Sequence, residues 1–197
     1  MRIKNYLSWT QINTLETSEK QYVKLYLEGQ KLPINRGMAL GSEIADALET
    51  GRHTGDIIKD FVVATLPRLD VQEKELRAKI NIDGQNIPLL SFIDMASHDL
   101  TKIKEIKTGA TAWNQRKVDQ HGQITFYCVV IKAITGYIPE DIELVWAPSE
   151  LINDKPELTG EIKRFKTKRS AVDVLKMKSR ILKAWQRIEE LTNEKFI

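Results

Sequence analysis

The stretch that most constrains this chain is Lys102–Lys107, K-I-K-E-I-K. Charges and branched apolar residues alternate there with period two, which is the pattern of a β-strand. Ile103, Glu105 and Lys107 then share one face, and Lys104 and Ile106 take the other. The preceding run, Ile87–Ala96, is apolar except at Ser91 and Asp94. A short polar turn, Ser97–Thr101, separates the two, so an antiparallel hairpin is expected. A turn centred near His98–Leu100 puts Asp94 opposite or diagonal to Glu105, about 5 Å apart at Cβ. Two carboxylates held so close among apolar neighbours repel each other strongly. A hard divalent cation relieves that conflict, and Mg²⁺ favours one or two carboxylates plus water and phosphate oxygens. Lys107 lies on the same face and reaches the same point. Asp, Glu and Lys converging on one cation is an arrangement that cleaves phosphodiesters: the cation acidifies water and neutralises charge at phosphorus, and the lysine orients the water. A charged edge hairpin with solvated acids is the alternative reading of the same pattern.

Downstream, Thr108-Gly109 leads into a loop with Trp113 and then an expected helix from about Val118 to Ala133, with Ile124, Cys128, Ile131 and Ile134 as its apolar face. Gln123 and Tyr127 are four apart and share one face of it. Taken together, I-D at Ile93-Asp94, E-I-K at Glu105–Lys107 and Q-x-x-x-Y at Gln123–Tyr127 resemble the RecB-like branch of the PD-(D/E)XK nucleases. The resemblance extends upstream to L-S-W-T-Q-I-N-T-L-E and G-S-E-I-A-D-A-L-E and covers most of residues 7–147. It implies a restriction-endonuclease-like α/β core, a mixed and mostly antiparallel sheet flanked by helices. It also implies Mg²⁺- or Mn²⁺-dependent hydrolysis of DNA, single- or double-stranded, in recombination, repair or phage DNA processing. Asp94, Glu105 and the Ile106 carbonyl would bind metal. Lys107 would position or activate water, and Gln123 and Tyr127 would brace the site and contact the phosphate backbone. Recombination or replication proteins are the implied partners.

The same resemblance draws attention to two departures. Some relatives carry an iron–sulfur cluster, but this chain has Cys128 as its one cysteine, too few for a four-cysteine cluster. The family histidine falls on Ala45, in an expected helix from Met38 to Thr50. Glu49, four residues on, can swing back over that position, so a third carboxylate is expected from Glu49, directly or through water, the alternative being that Glu49 caps the helix end near Gly51 in solvent. The missing histidine also leaves room for a catalytically silent nuclease fold serving as a nucleic-acid-binding or scaffold module.

Elsewhere the reading is coarser. Ser8 and Gln11 form a capping box opening a helix that runs through Tyr26 and stops at Gly29. Asp56–Ala64 reads as a short helix. Val71–Ile82 is a strand joined by Asp83-Gly84 to the next. Asp141–Ala147 is a strand stopped by Pro148, followed by a linker containing Asn153–Pro156. Glu157–Lys166 is an edge strand, and Ser170–Asn193 a long amphipathic helix. His53 and His98 belong to turns. His121 is open between a structural role and one facing the phosphate.

One domain is expected for 197 residues. A net charge of only +3 excludes a polycation, so any nucleic-acid surface must be local. Such a bias exists from Lys163 to Arg187, where ten basic residues face one acid, Asp173. Lys163, Arg164, Lys166, Lys168, Arg169, Lys176 and Lys183 are the expected phosphate contacts. Trp113 is open between stacking on an unpaired base and capping the core. The N-terminus lacks a signal-like apolar region and no apolar run is long enough to span a membrane, so a cytoplasmic setting is expected.

Overall fold

The computed structural model describes residues 5–31, 33 and 35–194. Its frame is a six-stranded, mostly antiparallel mixed sheet with helices on both faces. β1 (Val71–Ile82) and β2 (Gln85–Ala96) form a long hairpin. Asp83 and Gly84 take φ of 50° and 83°, as the two central residues of a tight hairpin turn require. β2 then meets β3 (Lys102–Gly109) at two positions only, Met95 with Lys104 and Ala96 with Ile103. Beyond these the two strands part, and β3 pairs in parallel with β4 (Asp141–Ile152) over eight positions. A parallel pair needs a crossover, supplied here by α5 (Gln115–Asp119) and α6 (Gly122–Thr135).

The β1–β2 ladder has a flaw at one level. Glu73 and Asp94 stand opposite each other but drop out of the pairing, and Glu73 adopts a φ of 48°. Around it the side chains change faces. Ile93 and Ala96 join one apolar cluster while Met95 between them joins the other. This irregularity, next to the point where β3 leaves, gives the sheet a fork with Asp94 at its crotch.

The larger cluster packs α6, α7 (Ala171–Glu194) and the first helices against one face; the smaller packs α3 (Arg36–Thr50) and α4 (Ile57–Thr65) on the other. α6 is apolar nearly all round, and seven of its residues from Ile124 to Ile131 are buried, so it is a core helix rather than a surface one. Cys128 is fully buried and its thiol is pushed up to about 12 by burial, an inert core position. Ile134, expected on the apolar face, is exposed. Among the described residues no helix is long and apolar enough to cross a membrane.

Several expected elements are divided. The N-terminal helix breaks at Ser18, which ends α1 (Trp9–Thr17) through its N–H to Thr14 and opens α2 (Glu19–Tyr22) with its hydroxyl, accepting from Gln21 at 3.2 Å. α2 runs on into a π-helical turn, Val23–Leu27. The expected Val118–Ala133 helix is two helices separated at Gln120-His121. β4 does not stop at Pro148. Its carbonyl there accepts from Thr159, and the strand continues into a hairpin with β5 (Lys155–Leu158). The supposed linker is that hairpin's turn, with Asn153 and Asp154 both at positive φ. β6 (Lys163–Thr167) lies antiparallel to β4, so the expected Glu157–Lys166 strand is two strands, with Gly160 turning between them.

α1 docks on α6 through a close approach. A Cβ added at Gly122 would stand 2.0 Å from the Trp9 ring, so only glycine fits. Arg180 of α7 lies 5.1 Å over the same ring. Gly122→Ala should therefore displace Trp9 and lower stability by about 1–3 kcal/mol, read as a reduced urea midpoint with an unchanged m-value. An unaltered midpoint would show that Trp9 is not held there.

Candidate active site at the sheet fork

Asp94 and Glu105 reach the fork from different strands. Where β3 leaves β2, the Ile106 N–H loses its strand partner, and the Asp94 carboxylate accepts it instead at 2.6 Å. Extended past its two real pairs, the β2–β3 register sets Asp94 opposite Glu105, as the hairpin reading expected. Glu105 is almost wholly buried. One of its oxygens forms an ion pair with Lys107, and the other accepts from the Tyr127 hydroxyl at 3.0 Å. Gln123 links the two ends: its amide NH₂ donates to the Tyr127 oxygen at 2.6 Å, and its carbonyl accepts from the Lys107 ammonium at 2.9 Å. Glu105, Lys107, Gln123 and Tyr127 thus form a closed ring, and the helical spacing of four brings the last two to one place.

Burial, then the neighbouring Glu105 charge, pushes the Asp94 carboxyl up to about 8; the Ile106 N–H and Lys107 oppose this, and Glu73 adds to it. Tyr127 is raised well above the usual phenol range, first by burial and then by Glu105 and Asp94, so it stays a protonated donor. A half-buried acid at such a pKa is a group lacking its counter-charge. The donor set fits a hard cation: Asp94, Glu105 and the adjacent Ile106 carbonyl offer oxygen ligands of the kind Mg²⁺ and Mn²⁺ take.

A cleft of about 460 Å³ opens beside Asp94, between α3 and the fork, lined among others by Ala45, Glu49, Glu73, Ile106 and Lys107. Ala45 and Glu49 both face it, as the helical spacing expected. Among the described residues, however, no group of three His, Cys, Asp or Glu side chains is placed to hold a metal by itself. Glu49 is an exposed member of the cleft wall that also carries Asp94. Glu73 escaped the sequence reading although its position was accessible: the Asp83-Gly84 turn alone fixes a register that sets Glu73 opposite Asp94.

The expected phosphate contacts divide. Arg169 is buried and saturated, donating to the carbonyls of Val118, His121 and Lys168 and to the hydroxyls of Thr125 and Thr167. It locks the α5–α6 break and does not face solvent. Arg164 donates twice to buried Glu143, at 2.8 and 2.9 Å, and Lys104 pairs with the same carboxylate. Lys163 pairs with Glu161 and lies over Trp146, and Lys166 pairs with Asp141. Lys168, Lys176 and Lys183 are exposed and form no ion pair among the described residues. Trp113 packs against the main core and meets His121 edge-on, ring centres 4.9 Å apart, which is the core-capping alternative. The His121 Nδ1 is buried without a partner, and burial, then Lys107 and Arg169, lowers the ring to about 4, leaving it neutral. His53 is exposed beside Asp60, and His98 is exposed in its turn.

No family model and no curated protein matches this sequence. Among solved structures, SSO0001 is similar over 92% of this chain and 77% of that one, at 13% identity and a TM-score of 0.49. Rai1 of Scheffersomyces stipitis is similar over 93% and 71%, at 12% identity and a TM-score of 0.29. Neither likeness is close enough to bear on function, which rests on the chain's own residues.

The Asp94 shift sets a pH dependence. Its pKa is raised on folding, so the folded chain holds this proton more tightly than the unfolded one. The contribution is complete below about 4 and is lost as pH rises through about 8. In EDTA, stability should fall across that window by up to about 1.4 kcal/mol per pH unit, and Asp94→Asn should flatten the fall. Manganese competes with the same proton, so the melting-temperature gain it produces should grow toward pH 8. Urea titrations at stepped pH check the first and thermal melts with and without manganese the second, and identical profiles for the wild type and Asp94→Asn would contradict them.

Proposed function

We propose that the chain is a divalent-metal-dependent nuclease of the PD-(D/E)XK kind, hydrolysing DNA phosphodiester bonds in recombination, repair or phage DNA processing. The observation that carries this reading is the ring of Glu105, Lys107, Gln123 and Tyr127 closing beside Asp94, an acid raised first by burial and then by the charge of Glu105. Asp94, Glu105 and the Ile106 carbonyl would hold Mg²⁺ or Mn²⁺. Such a cation supplies acidification of water and neutralisation of charge at the phosphate.

The chain's own groups do the rest. Tyr127 and Lys107 grip one Glu105 oxygen each, which fixes the carboxylate's direction before substrate arrives. Gln123 holds the Lys107 ammonium at the fork, where it orients the attacking water and meets negative charge developing on the phosphate. The polar atoms of Gln123 and Tyr127 are already engaged with one another and with Glu105 and Lys107, so their part is to brace this geometry. Ala45 in the position of the family histidine favours one second reading, a nuclease fold that binds nucleic acid without cutting it.

A cleavage assay on labelled single- and double-stranded DNA with Mg²⁺ or Mn²⁺ separates the two. Asp94→Ala, Glu105→Ala and Lys107→Ala should each lower the rate roughly a hundredfold or more while the protein stays folded. Full activity in folded Glu105→Ala protein would refute the nuclease reading.

Backbone binding falls to the exposed lysines of the C-terminal helix. Lys176→Glu combined with Lys183→Glu should weaken DNA binding and flatten its log–log salt dependence by roughly one unit per lost contact. Equal slopes before and after would return both lysines to a solvated helix face.

A further inference from the structure

Asp94 is the meeting point of two clefts. The first is the α3 cleft, one wall of which is Gly37, Gly41 and Ala45 at a spacing of four along the helix, and which reaches Lys107 and Thr108 on β3. The second, of about 420 Å³, lies on the α1 side. It is lined by Ser8, Trp9, Thr10 and Ser91 among others and reaches Gln123 and Tyr127. Asp94 is the residue common to both. The Lys107 ammonium of the first cleft donates to the Gln123 carbonyl of the second at 2.9 Å, so the two meet across the site as well. The parting of the strands makes this room. β2 is paired by β3 at Met95 and Ala96, and by Leu7 at Leu89. Among the described residues, Ser91–Asp94 between them carries no strand on that edge. Asp94 is thus flanked by open space on both sides, not backed by a wall on one.

The two sides differ in chemistry. Ser91 follows the alternation of Leu89 and Ile93, which belong to the cluster packed against α6. It therefore faces α6, the helix that carries Gln123 and Tyr127. Ser91 is 5% exposed, and its hydroxyl has no hydrogen-bond partner among the described residues. A buried hydroxyl left unpaired is unfavourable, so an occupant that offers it a polar atom gains there. On the other side, Gly37, Gly41 and Ala45 carry no side chain that would hold a chain away from α3. A Cβ at Gly41 would stand 3.2 Å from the Thr108 hydroxyl, so the bare stretch also lets the helix sit close to β3.

A site that trims ends needs room for the chain on one side of the scissile bond. A bond inside a strand has nucleotides on both. We propose that the two clefts form one groove that takes an internal stretch of polynucleotide, so that cleavage falls within a strand and requires no end. The nucleotide on the α1 side pairs a polar atom with the Ser91 hydroxyl, the chain on the other side runs along the bare wall of α3, and the phosphate between them lies at Asp94. The proposal rests on the nuclease reading and adds to it the place of the bond.

Closed circular DNA, which has no ends, tests it. Single-stranded and relaxed duplex circles, with linear DNA of the same sequences, are incubated with protein and Mn²⁺. A short single-stranded circle and its linear form are also titrated in EDTA with wild-type protein, Ser91→Ala and Ala45→Leu. The wild type should open at least one kind of circle at a rate comparable with that for linear DNA, and bind circle and line alike. Ser91→Ala should weaken both roughly fivefold without lowering the urea midpoint, because the hydroxyl it removes is unpaired in the free protein. Ala45→Leu narrows the α3 cleft and should weaken both as well. Linear DNA degraded while every circle persists overturns the groove and leaves the nuclease reading standing. Binding of the line without the circle, of neither form, or with unchanged affinity in either folded variant also overturns the groove. Circle binding that depends on both residues, with no DNA cut, overturns the nuclease reading and upholds the groove.

Discussion

One hydrogen bond lets this sheet fork, and the site depends on the fork. β3 abandons β2 after two pairs to run beside β4. The parting strand exposes the Ile106 N–H, a donor that cannot be left unpaired away from water. Asp94 supplies the acceptor from its side chain, at 2.6 Å. The carboxylate is thereby tied to the strand that carries Glu105 and Lys107, and the approach of two acids follows from the way the backbone satisfies itself. The cleft on the α3 side and the one on the α1 side both open from this parting of the strands.

Neighbouring residues on β3 have opposite fates, which separates structure from chemistry. Lys104 and Arg164 both meet Glu143 on one face, spanning three adjacent strands. Burial opposes ionisation of Glu143, but Arg164 and Lys104 outweigh it and hold the carboxyl below its usual range. That network carries two cations on one acid, a surplus of positive charge, and offers a further cation nothing to bind. On the other face Glu105 shares its surroundings with Asp94, against the single charge of Lys107. The imbalance of one negative charge is what invites a cation. Breaking a buried, paired network destabilises a fold strongly, whereas neutralising an acid beside a second acid relieves repulsion. Substitutions on the two faces of the sheet should accordingly differ in kind, lost folding at Glu143 of β4 and lost chemistry at Glu105 of β3.

Much of this was legible in the sequence because it rests on short periods. Alternation at Lys102–Lys107 fixed which residues share a face, the turns at Asp83-Gly84 and Ser97–Thr101 fixed two registers, and a spacing of four joined Gln123 to Tyr127. What was not legible depends on partners remote in the chain. Arg169 reads as one more member of a basic run, and only the packed α5–α6 corner shows its guanidinium filled by carbonyls. The break at Ser18 looks like mid-helix serine until its hydroxyl is seen capping the next turn. Asn153-Asp154 lacks the glycine that marks such hairpins, so a strand hairpin read as a linker. For Glu49 the helical spacing predicts the wall it faces, the cleft that also carries Asp94.

The central claim is that the fork gathers Asp94 and Glu105 around one cation. Anomalous diffraction from a manganese-soaked crystal tests it most directly. The account predicts one peak held by both carboxylates and the Ile106 carbonyl, with Glu105 still bound to Lys107 and Tyr127. A well-ordered fork without manganese at millimolar concentration, or a peak held by other residues away from Asp94 and Glu105, would contradict it.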